Sequence, residues 1–92
     1  MPAESIALVL YITGEGARGK RAVTNLRALC EGALRGRAVY EVVDVLQHPE
    51  EAEKHHIMAT PTLVRSSPEP GRRVIGDISC AEDVLVALDI EL

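Results

Sequence analysis

Aromatic residues are nearly missing from this chain of 92 residues, which contains no Phe and no Trp. Tyr11 and Tyr40 are its two tyrosines. We therefore expect neither a stacking platform for single-stranded nucleic acid nor an aromatic-lined pocket. The core must be built from Leu, Val, Ile and Ala. A formal net charge of −4 also argues against DNA or RNA as the main partner.

Cysteine is scarce as well, and its placement excludes most thiol and metal chemistry. Cys30 and Cys80 lie far apart without metal-ligand spacing, so we expect no metal and no cofactor. No basic segment opens the chain, and the apolar run 6–12 is too short for a signal peptide or a membrane span. We expect no membrane association and a cytoplasmic protein with both thiols reduced.

The first half of the chain alternates between strand and helix patterns. Residues 6–12 form an apolar run rich in β-branched residues, which is typical of a central strand covered on both faces. Across residues 18–34 apolar side chains recur at spacings of three and four, which predicts a helix with one buried stripe. Gly36 is suited to end that helix. Residues 38–45 predict a second strand.

The second half predicts a short helix, a hairpin and a last helix. Pro49, followed by two glutamates, opens the short helix. Residues 63–65 and 72–78 predict a hairpin, and residues 79–82 match a capping box. The order βαβαββα predicts one α/β domain, residues 1–92, with thioredoxin-like topology. The hairpin strands are short and rich in Pro, Gly and Arg, so local sequence specifies their pairing only weakly.

The run Ala59-Thr60-Pro61-Thr62-Leu63 lies where thioredoxin-like domains place a cis-proline, and we expect a cis Thr60–Pro61 bond. The start of the first helix, where the enzymes of that fold carry Cys-x-x-Cys, reads Gly14-Glu15-Gly16-Ala17 instead. No residue context singles out a catalytic nucleophile. The chain retains the scaffold without the redox chemistry, which favours recognition over catalysis.

An ordered set of motifs over nearly the whole chain resembles the KaiB family of clock proteins. The matching residues are Leu10-Tyr11-Ile12-Thr13-Gly14, Val43-Asp44-Val45-Leu46 with Pro49, Ala59-Thr60-Pro61-Thr62-Leu63, Pro68 with Pro70, Arg72-Arg73-Val74-Ile75-Gly76-Asp77-Ile78-Ser79, and Leu88-Asp89. A lone Thr-Pro-Thr is weak evidence, whereas this gapless set is strong.

The resemblance implies two folds, a tetrameric ground state with the order βαββααβ and a thioredoxin-like monomer. It implies a regulator, not an enzyme, that binds the ATPase ring of a KaiC-like hexamer and modulates its phosphorylation cycle. A KaiA-like protein or a histidine kinase is a further partner of this kind, and self-association into dimers or tetramers also follows. The chain lacks the acidic tail of the cyanobacterial proteins, which puts the tetramer in doubt.

Two sets of residues are assigned on this resemblance. The expected partner contacts are Arg21, Glu41, Arg65, Arg72, Arg73 and Asp89. The residues expected to set the balance between the folds are Pro61, Gly76 and Ala87. Ala87 stands where cyanobacterial relatives generally have Gly, and Ala in place of Gly in a helix interior favours helix by about 1 kcal/mol.

Two other functions stay open from the sequence. A KaiB-like sensor domain of a SasA-type histidine kinase would hold the thioredoxin-like fold permanently, and Ala87 mildly favours it. A thioredoxin-like redox protein would need a thiol beside Pro61, and Cys30 is expected to lie too deep in the first helix to serve.

Overall fold

The computed structural model describes residues 5–91, which form four strands and three helices. In chain order these are β1 (Ile6–Ile12), α1 (Ala17–Glu31), β2 (Ala38–Asp44), α2 (Pro49–Lys54), β3 (Thr62–Ser67), β4 (Arg72–Ile75) and α3 (Ala81–Ala87). The order βαβαββα and the thioredoxin-like topology are confirmed. The alternative order βαββααβ is not the one that this structure shows.

The sheet has the strand order β2-β1-β3-β4. Strand β1 pairs in parallel with β2, starting at Ile6 opposite Ala38, and antiparallel with β3, with Leu10 opposite Leu63. Strand β4 extends the sheet antiparallel to β3. A parallel pair requires a crossover, and α1 supplies it. Strands β2 and β4 are therefore the two edges of the sheet.

Helices α1 and α3 cover one face of the sheet and close a single aliphatic core. Buried side chains from β1, α1, β3 and α3 belong to the same cluster, for example Leu10, Leu26, Leu63 and Leu88, each with no exposed surface. Helix α2 has no buried residue. It lies towards the opposite face, where the ring of His55 is 6.2 Å from that of Tyr11. That face is thus covered only in part.

Several predicted ends were wrong, and so was the predicted cap of α3; strand β3, expected at residues 63–65, spans Thr62–Ser67. Helix α1 ends at Glu31, because Gly32 leaves the helical conformation with a ψ of −101° and the N–H of Leu34 then donates to the Leu29 carbonyl, five residues back. Strand β4 ends at Ile75 because Gly76 has a φ of +97°. The capping box does not form: the N-cap of α3 is Cys80, without a side-chain cap.

The end of α3 is a Schellman motif made without glycine. The N–H of Asp89 donates to the Val86 carbonyl at 3.1 Å, and that of Ile90 donates to the Leu85 carbonyl at 2.9 Å. Asp89 has a φ of +55°, the left-handed conformation that this motif requires. Ala87 is consequently the last helical residue and not an interior one, so its helix-favouring effect is smaller than the sequence suggested.

Candidate partner-binding surfaces

Strand β2 leaves one of its two edges unpaired. In the described part of the chain its only neighbour in the sheet is β1, so the main-chain groups on its outer side are available to another strand. Large apolar side chains along and after it are exposed: Val39 by 65%, Val42 by 38% and Leu46 by 68%. We call Val39, Tyr40, Val42 and Leu46, with the outer main chain of β2, the β2 edge surface. Such an edge is a template for pairing with another chain.

Glu41 and Arg73 lie on the face of the sheet opposite α1. On β2, Glu41 is opposite Val9 of β1. On β4, Arg73 is opposite Val64 of β3. Tyr11 lies two positions after Val9 on β1, and its pKa is raised first by burial and then by the negative charges of Glu51 and Glu41. The acidic side of this face is therefore the β2 side.

Arg73 is held in place, whereas its neighbour on β4 is free to meet a partner. The guanidinium of Arg73 donates to the carbonyls of His55 at 3.0 Å and His56 at 3.1 Å, at the end of α2. Arg72 is exposed and, among residues 5–91, donates only to the carbonyl of the preceding Gly71. The two arginines point to opposite faces, as their alternation on a strand predicts.

Arg21 lies on the other side of the molecule. It lines a groove of about 400 Å³ between α1 and residues 76–79, together with Arg18, Asn25 and Asp77. The pKa of Asp77 is lowered by hydrogen bonds from the backbone N–H and the hydroxyl of Ser79, with a smaller contribution from the charge of Arg21. The groove thus carries positive charge on its helix side.

Two of the residues assigned to the fold balance are bonded to each other. The Thr60–Pro61 bond is cis, as predicted. Pro61 is buried, and its carbonyl accepts the N–H of Gly76 at 2.8 Å. This bond ties the start of β3 to the end of β4. Ala87 lies apart from both, exposed at the end of α3.

Arg65 and Asp89 are also brought together, but in the interior. The side chain of Arg65 is only 6% exposed. It donates to the Pro70 carbonyl at 2.6 Å and to the Asp89 carbonyl at 3.3 Å. In this fold Arg65 offers a partner very little surface, so its position favours a role in holding the 68–70 turn and the end of α3.

The structure does not bring the six expected contact residues into one patch. Arg21 lies on the helix side, Glu41 and Arg73 on the opposite face, and Arg65 inside. Sequence reasoning missed the carboxylate of Asp44, which accepts the backbone N–H groups of Gly14 at 3.0 Å and Leu46 at 2.9 Å. An Asp at the end of a strand, followed by a loop, was the available signal.

Solved structures define the class of protein. The mitochondrial thioredoxin 3 of Saccharomyces cerevisiae superimposes with a TM-score of 0.73 at 15% identity, covering 95% of this chain and 79% of that one. The N-terminal domain of Synechococcus elongatus SasA gives 0.70 at 20% identity, covering 86% of this chain and 76% of that one. At such identities the likeness shows the fold, a thioredoxin-like domain, here without cysteines where α1 begins.

Sequence comparison defines the family. The KaiB domain matches residues 9–90. The circadian clock protein KaiB3 of Synechocystis sp. is 43% identical over 90 residues, covering 98% of this chain and 88% of that protein. The circadian clock oscillator protein KaiB of a Prochlorococcus marinus strain is 43% identical over 89 residues, covering 97% and 75%. The chain belongs to the KaiB family, which confirms the resemblance found in the sequence.

Among residues 5–91, no helix combines the length and the apolar character needed to cross a membrane.

Proposed function

We propose that this chain is a non-catalytic timing regulator that binds the ATPase ring of a KaiC-like hexamer in its thioredoxin-like form and modulates the phosphorylation cycle of that hexamer. Membership of the KaiB family supports a clock role, since its curated relatives are named as circadian clock proteins. We expect it to act in the cytoplasm, with a KaiA-like protein or a histidine kinase as a further partner.

The β2 edge surface is the observation that carries the proposal. An exposed edge strand supplies main-chain hydrogen bonds to an added strand, and its alternate side chains supply specificity. Val39 and Leu46 are 65% and 68% exposed, and such apolar side chains add favourable burial when a partner covers them. Glu41, between Val39 and Val42, contributes a charge that selects among partners.

Basic groups at two other places extend the interface in this proposal. Arg21 faces outward on α1, and Arg72 is exposed at the opposite edge of the sheet. Each would meet an acidic group of the ring. Arg73 and Arg65, both bonded to backbone carbonyls, would act by holding α2 and the 68–70 turn in position, and Asp89 by ending α3.

The balance between the thioredoxin-like form and the ground-state form is part of the same proposal. Ring binding would select the thioredoxin-like form, and it can shift the population only by the difference in affinity for the two forms. Pro61 and Gly76 support this form through the hydrogen bond that joins them. Ala87 supports it as the last residue of α3. Self-association into dimers or tetramers would compete with ring binding.

Size-exclusion chromatography with light scattering tests the binding directly. The full chain is incubated for hours with a KaiC-like hexamer and ATP, and a complex of hexamer mass plus bound copies is expected. Val39→Lys on the β2 edge should weaken the complex about tenfold or more, since it replaces buried apolar area with a charge. Val86→Lys is the matched control, because Val86 is 80% exposed on α3 and away from β2.

Two outcomes would overturn the proposal. One is that no complex forms after long incubation. The other is that Val39→Lys and Val86→Lys bind equally well, which would remove the β2 edge from the interface even if a complex forms.

A sensor domain of a SasA-type kinase is the second candidate, since the SasA N-terminal domain has the same fold. The two candidates differ in whether the protein exchanges between two folds. A sensor domain shows one set of NMR amide signals, whereas a KaiB protein that changes fold shows two sets or a change of mass on storage.

A further inference from the structure

The side chain of Arg65 is a buried cation without a carboxylate partner. Within residues 5–91, the ion pairs shorter than 4.0 Å join His48 to Glu50 and His55 to Glu51. None of them includes Arg65. Its guanidinium donates to two backbone carbonyls, while its Nε–H is buried and has no partner in the part of the chain that the structure describes. A buried charge of this kind is costly unless an opposite charge or further hydrogen bonds compensate it.

Arg65 is one of the residues that line a cleft of about 620 Å³. Arg65 and Arg37 line it, together with the apolar side chains of Ile6 and Ile90. Arg37 is half-buried at the start of β2, and its carbonyl accepts the N–H of Ile6 at 2.8 Å. The cleft is therefore formed by the ends of β1, β2 and β3 and by the residues after α3.

The acids of the cleft do not neutralise its interior. Asp89 and Glu91 also line it, but both are exposed, so water and salt screen their charges. Arg65 is 6% exposed, and its charge is screened much less. The inner end of the cleft is therefore positive.

We propose that this cleft binds an oxyanion, a carboxylate or phosphate group, with Arg65 as its buried anchor and Arg37 as the second cation. Arginine is the side chain best suited to such groups, because its planar fork of N–H donors matches their oxygens. Two of the five N–H groups of Arg65 donate to carbonyls, and the bond to the Asp89 carbonyl is long at 3.3 Å. The guanidinium can give up that bond to an oxyanion at low cost.

The oxyanion has two sources, a soluble anion or a carboxylate of the chain itself. Glu4 precedes the cleft residue Ile6 by two positions in the sequence, so it is the acid to test for the second source. Both sources would supply the same chemistry to Arg65.

NMR of the Arg65 Nε–H group tests the proposal on the full chain. Inorganic phosphate, and separately acetate, is added while chloride is withdrawn to hold the ionic strength constant. We expect a saturable shift of the Arg65 Nε–H signal. Arg37→Gln should weaken the apparent affinity about tenfold, as expected for one charge-assisted hydrogen bond. Arg35→Gln, an exposed arginine outside the cleft, should leave it unchanged.

Glu4→Gln separates the two sources. If Glu4 occupies the cleft, the wild-type signal does not respond to added anions. In Glu4→Gln the Arg65 Nε–H signal then differs from that of the wild-type protein before any anion is added, and it responds when anion is added. If a soluble anion is the ligand, Glu4→Gln and the wild-type protein respond alike. The absence of any response in both proteins, up to tens of millimolar anion, would overturn the site, as would equal effects of Arg37→Gln and Arg35→Gln.

Discussion

The guanidinium of Arg73 caps the C-terminal end of α2 by donating to the carbonyl of His56 at 3.1 Å, with a second bond to the carbonyl of His55 at 3.0 Å. His56 has a φ of +56°, a conformation that an L-residue adopts at some cost. The last carbonyls of α2 already accept N–H groups of the turn that follows, whereas the carbonyls of His55 and His56 come after Lys54, the last helical residue. A side chain from β4 therefore holds the turn that ends α2.

Replacing Arg73 by Gln should loosen α2. The loss of a charged donor to two carbonyls is expected to cost about 1 kcal/mol of unfolding free energy, measured by urea denaturation. Hydrogen exchange at the Ile57 amide, which donates to the Ala52 carbonyl, should become faster. Arg72→Gln is the control and should stay within about 0.5 kcal/mol. Equal losses from the two substitutions would contradict the capping role.

Gly76→Ala should destabilise this fold through the backbone alone. A Cβ at Gly76 would meet no atom within 4 Å, but the φ of +97° is unfavourable for an L-residue. We expect a cost of about 1–2 kcal/mol in thermal or urea unfolding. Gly16→Ala is the comparison: its Cβ would also meet nothing and its φ is −66°, so only the change at the N-cap of α1 remains, at a cost of about 0.5 kcal/mol. A neutral Gly76→Ala would show that β4 can end in another way.

The carboxylate of Asp44 should make stability depend on pH in the acid range. Hydrogen bonds from the N–H groups of Gly14 and Leu46 lower the pKa of Asp44. Its contribution is therefore complete above the unfolded-state pKa of about 3.9 and is lost as pH falls through the lower folded-state pKa. Asp44→Asn should reduce the fall in melting temperature between about pH 5 and pH 3. Glu53→Gln, on the exposed side of α2, should leave the fall unchanged; a matching reduction there would refute this assignment.

The two thiols should react at different rates. Burial raises the pKa of Cys30, and the charge of Glu31 raises it further, whereas Cys80 is exposed. Because the thiolate is the reactive species, a disulfide reagent should modify Cys80 rapidly and Cys30 slowly at neutral pH. Cys80→Ala should remove the fast phase, and Cys30→Ala the slow one. Insulin reduction should not exceed background; activity above background would revive the redox alternative.

The sequence predicted the elements whose signal is local. The continuous apolar run of β1 and the apolar spacing of three and four in α1 are each visible within their own segment. The structure places β1 at Ile6–Ile12 as expected. The end of α1 was missed because the turn after Glu31 is fixed by hydrogen bonds of Gly32 and Leu34 to Ala28 and Leu29. Gly32 is the C-cap, so the sequence contained two glycines suited to end the helix and the prediction took the later one.

The candidate surfaces were less predictable than the fold. Nothing in the residues around Arg65 shows that its side chain turns inward, since the carbonyls that hold it, of Pro70 and Asp89, come from other parts of the chain. The exposure of Val39 could not be predicted from the sequence for a similar reason. An edge strand and a central strand can share the same apolar composition, and only the strand order distinguishes them.

The pairing of β1 also implies an order of assembly. Its parallel partner places Ala38 opposite Ile6, whereas its antiparallel partner places Ser67 opposite Ala7, much farther along the chain. The shorter loop costs less entropy to close, so β1, α1 and β2 would come together first during synthesis. Until residues 62–67 arrive, β1 itself has an open edge, which β3 then covers. The β2 edge, by contrast, has no further strand of residues 5–91 to cover it once the sheet is complete.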